Sequence, residues 1–239
     1  EGEEKPRVMY FAGCMSHLTP KIISSVRAVF DRVGEKYVFA DEDGGICCGR
    51  PLMLSGKDRA AREVIRANRK MILESGCTTL VLSCPICLKV FREEYNLEGI
   101  EILHYTQYMD RMAACGKLKL KRTGGSFVYH DPCELGRGCG IYEEPRRLVE
   151  AVGELKKASK ERAESVCCGG SLGSMTLDYQ DRGRITSGSL ETLLSDNPDN
   201  IVTACPLCFK TYSDKSPVPV LDIAQLVARS CEGNEKTSL

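Results

Sequence analysis

The feature that most constrains this chain is a cysteine pattern that occurs twice. In the first half, 32 residues separate Cys14 from the pair Cys47-Cys48, and 35 more precede Cys84-Pro85-Ile86-Cys87. In the second half, 33 residues separate Cys133 from Cys167-Cys168, and 36 precede Cys205-Pro206-Leu207-Cys208. The five positions recur at offsets of 119, 120, 120, 121 and 121 residues, and a glycine follows each pair (Gly49, Gly169). Chance does not keep five cysteines in register over half of 239 residues, so the chain is a tandem duplication of one unit.

Hydrophobic patterning gives both units the same reading. Residues 8–12 form an apolar run that predicts a strand delivering Cys14 at its carboxyl end. Thr19-Pro20 predicts an N-cap and first-turn proline for a helix that carries Ile22, Ile23, Val26, Val29, Phe30 and Val33 on one face and stops at Gly34. A strand over 36–40 leads to the Cys47-Cys48 loop, a long helix covers about 58–75, and residues 79–83 run as a strand into Cys84. Residues 100–104 supply the last strand, with a helix from about Thr106. In the second unit, strands over 126–130, 201–204 and 218–221 and helices over 145–152 and after 221 repeat the plan. This alternation predicts an α/β fold of two tandem, pseudo-twofold-related units, each a small, mostly parallel sheet flanked by helices. The expected divisions are a linker-like N-terminus over 1–7, units over 8–122 and 123–231, and a tail over 232–239. Ligands in such sheets gather beyond the carboxyl ends of strands. Cys14, Cys84, Cys133 and Cys205 fall there.

Composition narrows the chemistry. With 33 basic and 33 acidic residues the formal charge is zero, which removes the basic footprint of a nucleic-acid binder. No run of eighteen apolar residues occurs, so no transmembrane segment is expected. The charged start, without signal peptide or initiating Met, suggests a processed or excised chain in a reducing compartment, expected to be cytoplasmic or held at the inner face of a membrane by a partner. Clustered thiolates there call for soft cations. A structural zinc site has no use for a fifth cysteine, and the tight spacing of ferredoxin cubane ligands is missing. Adjacent cysteines in an extended segment point to opposite faces and would reach different irons. The favoured reading is therefore one polynuclear cluster per unit; a zinc-stabilised scaffold, one zinc per unit, is the alternative.

This double signature resembles the duplicated cysteine-rich CCG domains of heterodisulfide reductases. The run from His130-Asp131-Pro132-Cys133-Glu134-Leu135-Gly136-Arg137 to Glu144-Pro145-Arg146 is especially similar to their fused, membrane-associated catalytic subunits. Iron–sulfur subunits of glycolate and lactate oxidation systems share the two domains. The resemblance implies two noncubane 4Fe–4S clusters. Cys14, Cys47, Cys48, Cys84 and Cys87 would hold the first, and Cys133, Cys167, Cys168, Cys205 and Cys208 the second. It further implies that a small disulfide or similar two-electron substrate is reduced between the clusters. The rival is an electron-transfer subunit of a 2-hydroxy-acid or flavoprotein:quinone oxidoreductase. The cysteines for the ferredoxin-type clusters of fused relatives are missing here, so a ferredoxin-type or flavoprotein subunit or domain is the implied electron donor. Glu134 stands where relatives often carry His.

Other residues have two readings each. His130, Asp131 and Arg137 are the candidate catalytic residues, as proton donors or a cation for an anionic substrate. Their plainer role is to brace the cysteine loop. Arg50 faces the same choice between anion and salt bridge. His17 is read as a helix cap, and His104 as core or cleft. Cys77, Cys115, Cys139 and Cys231 have no mate in the other unit and read as structural thiols, Cys139 being the one near a motif. The loop 169–173 lacks the Lys-Ser/Thr of a phosphate-binding loop and reads as wrapping a cluster.

Overall fold

The computed structural model describes residues 6–170 and 176–231. They build two four-stranded parallel sheets of identical strand order. In the first, β1 (Val8–Phe11) lies between β2 (Tyr37–Phe39) and β3 (Thr79–Leu82), with β4 (Glu101–His104) outside β3. In the second, β5 (Ser126–His130) lies between β6 (Glu154–Lys156) and β7 (Asn200–Thr203), with β8 (Val220–Asp222) outside β7. Every residue of β1 and β5 is buried, which is why these strands read as unbroken apolar runs.

Helices cross between the strands. The first unit contains α1 (Cys14–His17), α2 (Pro20–Arg32), α3 (Arg50–Leu54), α4 (Asp58–Ser75), α5 (Pro85–Glu94) and α6 (Tyr105–Ala114). The second contains α7 (Gly136–Cys139), α8 (Glu143–Val152), α9 (Tyr179–Leu193), α10 (Pro206–Ser213) and α11 (Ile223–Ser230). The expected face of α2 is buried, and α4 ends where Gly76 turns left-handed at φ 73°. Thr19 occupies the N-cap position of α2, but its hydroxyl donates back to the Ser16 carbonyl (3.2 Å) instead of capping. Patterning did not place β6, α9, the helices α5 and α10 that begin inside each Cys-Pro-x-Cys, or the short α1, α3 and α7. β6 is three residues long, and α9 turns Thr186 and Ser189 inward, which breaks its apolar stripe.

One hydrophobic core serves both units, joining Tyr10, Phe30 and Leu103 to Tyr129, Leu148 and Ile223. The helices engage reciprocally: α2 packs on α11, and α8, its counterpart, packs on α6. Polar bonds cross the same seam, from Tyr105 Oη to Asp222 Oδ1 (2.8 Å), from Gln107 Nε2 to Glu144 (3.1 Å) and from Arg147 to Asp110 (2.9 Å). Among the described residues no helix is long and apolar enough to cross a membrane.

The duplication is imperfect at one buried point. Tyr10 Oη shares a 2.7 Å hydrogen bond with Ser83 Oγ. Its mate Tyr129 has Ala204 at the corresponding position, and the buried Tyr129 hydroxyl is without a partner among the described residues. Asp222 is fully buried beside the seam, and one of its two oxygens, Oδ2, is also unpartnered there. Burial pushes its carboxyl up to about 7, against lowering by the Ala224 amide and the Tyr105 hydroxyl. The folded chain thus holds a proton that the unfolded chain releases above about pH 4, so stability falls as pH rises from about 4 to 7. Asp222→Asn should flatten that fall and exceed the wild type at about pH 8 by on the order of 3 kcal/mol. Urea denaturation at both ends of the window measures it; equal slopes would contradict the assignment.

Candidate functional site

Each quintet of cysteines is assembled from the carboxyl ends of two central strands and one loop. In the first unit β1 ends at Phe11, and two residues on Gly13, with a φ of 81°, turns the chain so that Cys14 opens α1. A Cβ on Gly13 would stand 3.1 Å from Cys87 Sγ, so the missing side chain makes room for sulfur. Two residues beyond the end of β3 comes Cys84, the N-cap of α5, and Cys87 lies in the first turn of that helix. Cys47 and Cys48 come from the loop between β2 and α3, where Gly49 turns left-handed at φ 95° and its N–H donates to Cys47 Sγ (3.3 Å). The second unit repeats this with Cys133, with Cys205 and Cys208 of β7–α10, and with Cys167-Cys168 before Gly169. No disulfide joins the described cysteines.

The thiols of each set form a string of neighbouring pairs. Cys14 contacts Cys47, Cys47 contacts Cys48, Cys48 contacts Cys87, and Cys87 contacts Cys84. The second set runs Cys133, Cys167, Cys168, Cys208 and Cys205, with 3.2 Å between the sulfurs of Cys168 and Cys208. Adjacent cysteines therefore turn toward each other, contrary to the opposite faces expected of an extended segment, because the glycine turn curls the loop around the first sulfur of each pair. Donation from Cys14 and Cys48 drives Cys47 down to about 2, and donation from Cys133 and Cys168 does the same to Cys167. Their neighbours Cys48 and Cys168 are pushed up to about 12, chiefly by contact with Cys47 and Cys167. One thiolate thus forms at the expense of its neighbours, and the whole set can ionise only against soft positive charge. Among the described residues no three or more His, Cys, Asp or Glu side chains are arranged to hold a single metal ion. A string of thiols suits a cluster of several metal ions, whose ligands need not converge on one point. By donor chemistry the two quintets fit iron–sulfur clusters.

Different residues brace the two loops. Asp41 accepts from the amides of Ala12 (3.0 Å) and Gly13 (2.9 Å) and pairs with His17 Nε2 (3.0 Å). His17 is therefore a partner of Asp41 and not a helix cap. Asn68 and Tyr95 bond the carbonyls of Cys47 (2.9 Å) and Cys48 (3.1 Å). In the second unit the brace is Asp131, gripped by both nitrogens of Arg146 (2.7 and 2.8 Å) and by the Arg162 amide (2.7 Å). His130 is buried, with its nitrogens on Thr203 Oγ1 and the Val166 carbonyl (3.3 Å each), and burial brings it down to about 4. Arg137 donates to the carbonyls of Ala163 (3.1 Å) and Ser165 (2.7 Å). All three candidate catalytic residues are thus bonded into the wall behind Cys133 and Cys167.

The remaining candidates separate cleanly. His104 is core: it caps α6, bonds Thr106 and the Ser83 carbonyl, and burial brings it down to about 3. Cys77 and Cys231 are buried against helix carbonyls, Cys115 is exposed and Cys139 is half-buried on α7. The amides of Gly169 and Gly170 donate to Cys167 and Cys168. Residues 171–173 of that loop lie outside the described residues. Arg50 lines a 210 Å³ apolar cavity together with Cys14, Cys48, Cys84 and Cys87, and Gly170 and Leu207 of the second unit close its far wall.

Asn68, the polar residue at a core position of α4, was the one available signal for the braces. Asp41, Tyr95 and Arg146 carried none. Arg146→Met would strand the buried Asp131 carboxylate, at a cost of about 3–5 kcal/mol in chemical denaturation. A loss below about 1 kcal/mol would show that the pair does not hold the loop.

The model of the cysteine-rich domain (CCG) family matches residues 8–92 and again 127–211. One of the proteins of the dihydromethanophenazine:CoB–CoM heterodisulfide reductase of Methanosarcina barkeri is 28% identical over 95% of this chain and 60% of its own length. The EtfAB:quinone oxidoreductase of Syntrophomonas wolfei is 27% identical over 97% of this chain and 35% of its length. An uncharacterized iron–sulfur protein of Methanococcus maripaludis is 24% identical over 94% of this chain and 47% of its length. The chain thus spans from about a third to three fifths of these relatives. With matches over more than half of its length and one complete quintet in each, the chain belongs to the cysteine-rich CCG-domain family and carries the domain twice in tandem.

Proposed function

We propose that this chain is the reducing module of an iron–sulfur oxidoreductase that cleaves a disulfide, or a similar two-electron substrate, between two noncubane 4Fe–4S clusters. Cys14, Cys47, Cys48, Cys84 and Cys87 would hold one cluster, and Cys133, Cys167, Cys168, Cys205 and Cys208 the other. The observation that carries the reading is the 210 Å³ cavity against four cysteines of the first set, closed by Gly170 and Leu207 from the loop and helix that hold the second. A substrate lodged there would touch four cysteines of the first set and, in Gly170 and Leu207, close sequence neighbours of Cys168 and Cys208 of the second. When bound, two one-electron clusters would supply the two electrons that S–S cleavage consumes, and iron would receive a departing thiolate.

The protein's own part is to hold the sulfurs and keep water out. Apolar Met15, Pro51, Ile86 and Leu207 wall the cavity, which favours an uncharged S–S bond over bulk water. Asp41 and the Asp131–Arg146 pair fix the loops so that either oxidation level meets the same backbone. Electrons would come from a ferredoxin-type or flavoprotein subunit or domain. The EtfAB:quinone oxidoreductase among the relatives favours a second reading, in which the chain passes electrons onward without substrate chemistry.

Anaerobically prepared protein should contain about four irons and four acid-labile sulfides per quintet. One zinc per quintet without sulfide would end the proposal. Cys47→Ser and Cys167→Ser should each abolish the spectral signature of a single cluster. Reduction of a disulfide under a low-potential donor separates catalysis from relay.

A further inference from the structure

The second unit contains a 390 Å³ cavity whose lining differs from the first unit at several matching positions. It lies between α9 and α10 beside the Cys167-Cys168 loop, and Arg182, Lys210 and Lys215 line it, with Thr186, Thr211 and a single carboxylate, Asp214. The duplication supplies the comparison. Gly49 stands against the Ala61 carbonyl and the Ile65 side chain of α4, and its mate Gly169 against the Arg182 carbonyl, the Thr186 hydroxyl and Ile185 of α9, so that Arg182 and Thr186 take the places of Ala61 and Ile65. Val90, three residues after Cys87 and buried, has Thr211 as its counterpart three residues after Cys208. Three apolar positions of one unit are thus cationic or hydroxylated in the other.

Lysine makes the same point. Lys89, two residues after Cys87, pairs across the seam with Glu134 (3.6 Å). Lys210, two residues after Cys208, would meet position 15, where Met15 stands in place of a carboxylate. Among the described residues none of Arg182, Lys210 and Lys215 forms an ion pair, and the buried Arg182 Nε–H has no hydrogen-bond partner. A buried guanidinium donor left unmatched is costly unless something else accepts from it. Lys215 lies 5.5 Å from the ring centre of Tyr179, another lining residue. Gly170 and Leu207 line both this cavity and the cysteine-walled one, so the two adjoin.

We propose that this cavity binds a carboxylate, phosphate or sulfonate group of the substrate, and so selects an anionic substrate and seats its reacting end in the neighbouring cavity. The oxyanion site stands on the lining itself; assigning its anion to the reacting molecule rests on the disulfide-reductase reading above. A guanidinium presents paired donors to such groups, and the lysines add charge at the mouth.

The test is calorimetric titration of the full chain with 3,3′-dithiodipropionate, a dianionic disulfide, with neutral 2-hydroxyethyl disulfide, and with inorganic phosphate. The dianion is expected to bind at least roughly tenfold tighter than the neutral disulfide, with phosphate competing. Arg182→Gln should cut affinity for the dianion roughly tenfold and Lys210→Gln roughly threefold, with the neutral disulfide unaffected in both. Lys210 is exposed, so its variant keeps the test open should Arg182→Gln fold poorly. Equal binding of the two disulfides, or indifference of the dianion to both variants, overturns the proposal. Phosphate binding that is lost in the variants but does not compete with the dianion also overturns it, leaving an oxyanion site unconnected to substrate. If the dianion is preferred but neither disulfide is reduced by the cluster-loaded protein, the site stands and the reductase reading falls.

Discussion

Five thiols within hydrogen-bonding reach of one another cannot all ionise in a protein wall, because each thiolate raises the cost of the next. The arrangement around Cys47 and Cys167 expresses that limit: the contacts that lower these two thiols raise the thiols of Cys48 and Cys168 beside them. Much of the nearby structure answers this charge problem. Backbone amides at Gly49, Gly169 and Gly170 point at sulfur, and Cys84, at a helix N-terminus, is lowered first by the Cys87 thiol and then by the amides of Cys87 and Ile86. The sheets provide rigid ledges from which the sulfurs project, and a fold of this kind is suited to bringing strand ends and loops to one point.

The two halves solve the same mechanical problem with unlike parts. In one, a carboxylate from beyond β2 reaches back to the amides that precede Cys14. In the other, the buried carboxylate directly follows β5, and an arginine from α8 grips it with two nitrogens. His130, Asp131 and Arg137 stood out in the sequence because they flank Cys133, and their bonds belong to this bracing. Proximity in sequence to a ligand marks support at least as often as reactivity.

Most of the scaffold was legible from residue patterns. The strand over 126–130 and the helix over 58–75 carry strong periodic or unbroken apolar signals, and the structure has both at those bounds. The cysteine register disclosed the duplication outright. Among the missed elements, α9 and β6 face the site or an edge, so their residues answer to local bonding and not to a hydrophobic stripe, while α5 and α10 begin inside the Cys-Pro-x-Cys motifs, whose cysteines dominate the local pattern. Thr19 shows the same limit at one residue, since its position was foreseen but its hydroxyl found another acceptor. The coming together of adjacent cysteine side chains was not legible because it depends on a positive φ two residues after the first of them, which glycine permits without announcing.

The reciprocal packing of α2 on α11 and of α8 on α6 is the contact pattern that two identical chains make about a true dyad. Joined end to end, such a homodimer no longer needs matching halves. Each copy can then change without forcing the same change on its twin, and the empty acceptor opposite Tyr129 and the lysine without a carboxylate at Lys210 are traces of that release. A symmetric ancestor would have had two equivalent ends; the fused chain has two unlike ones.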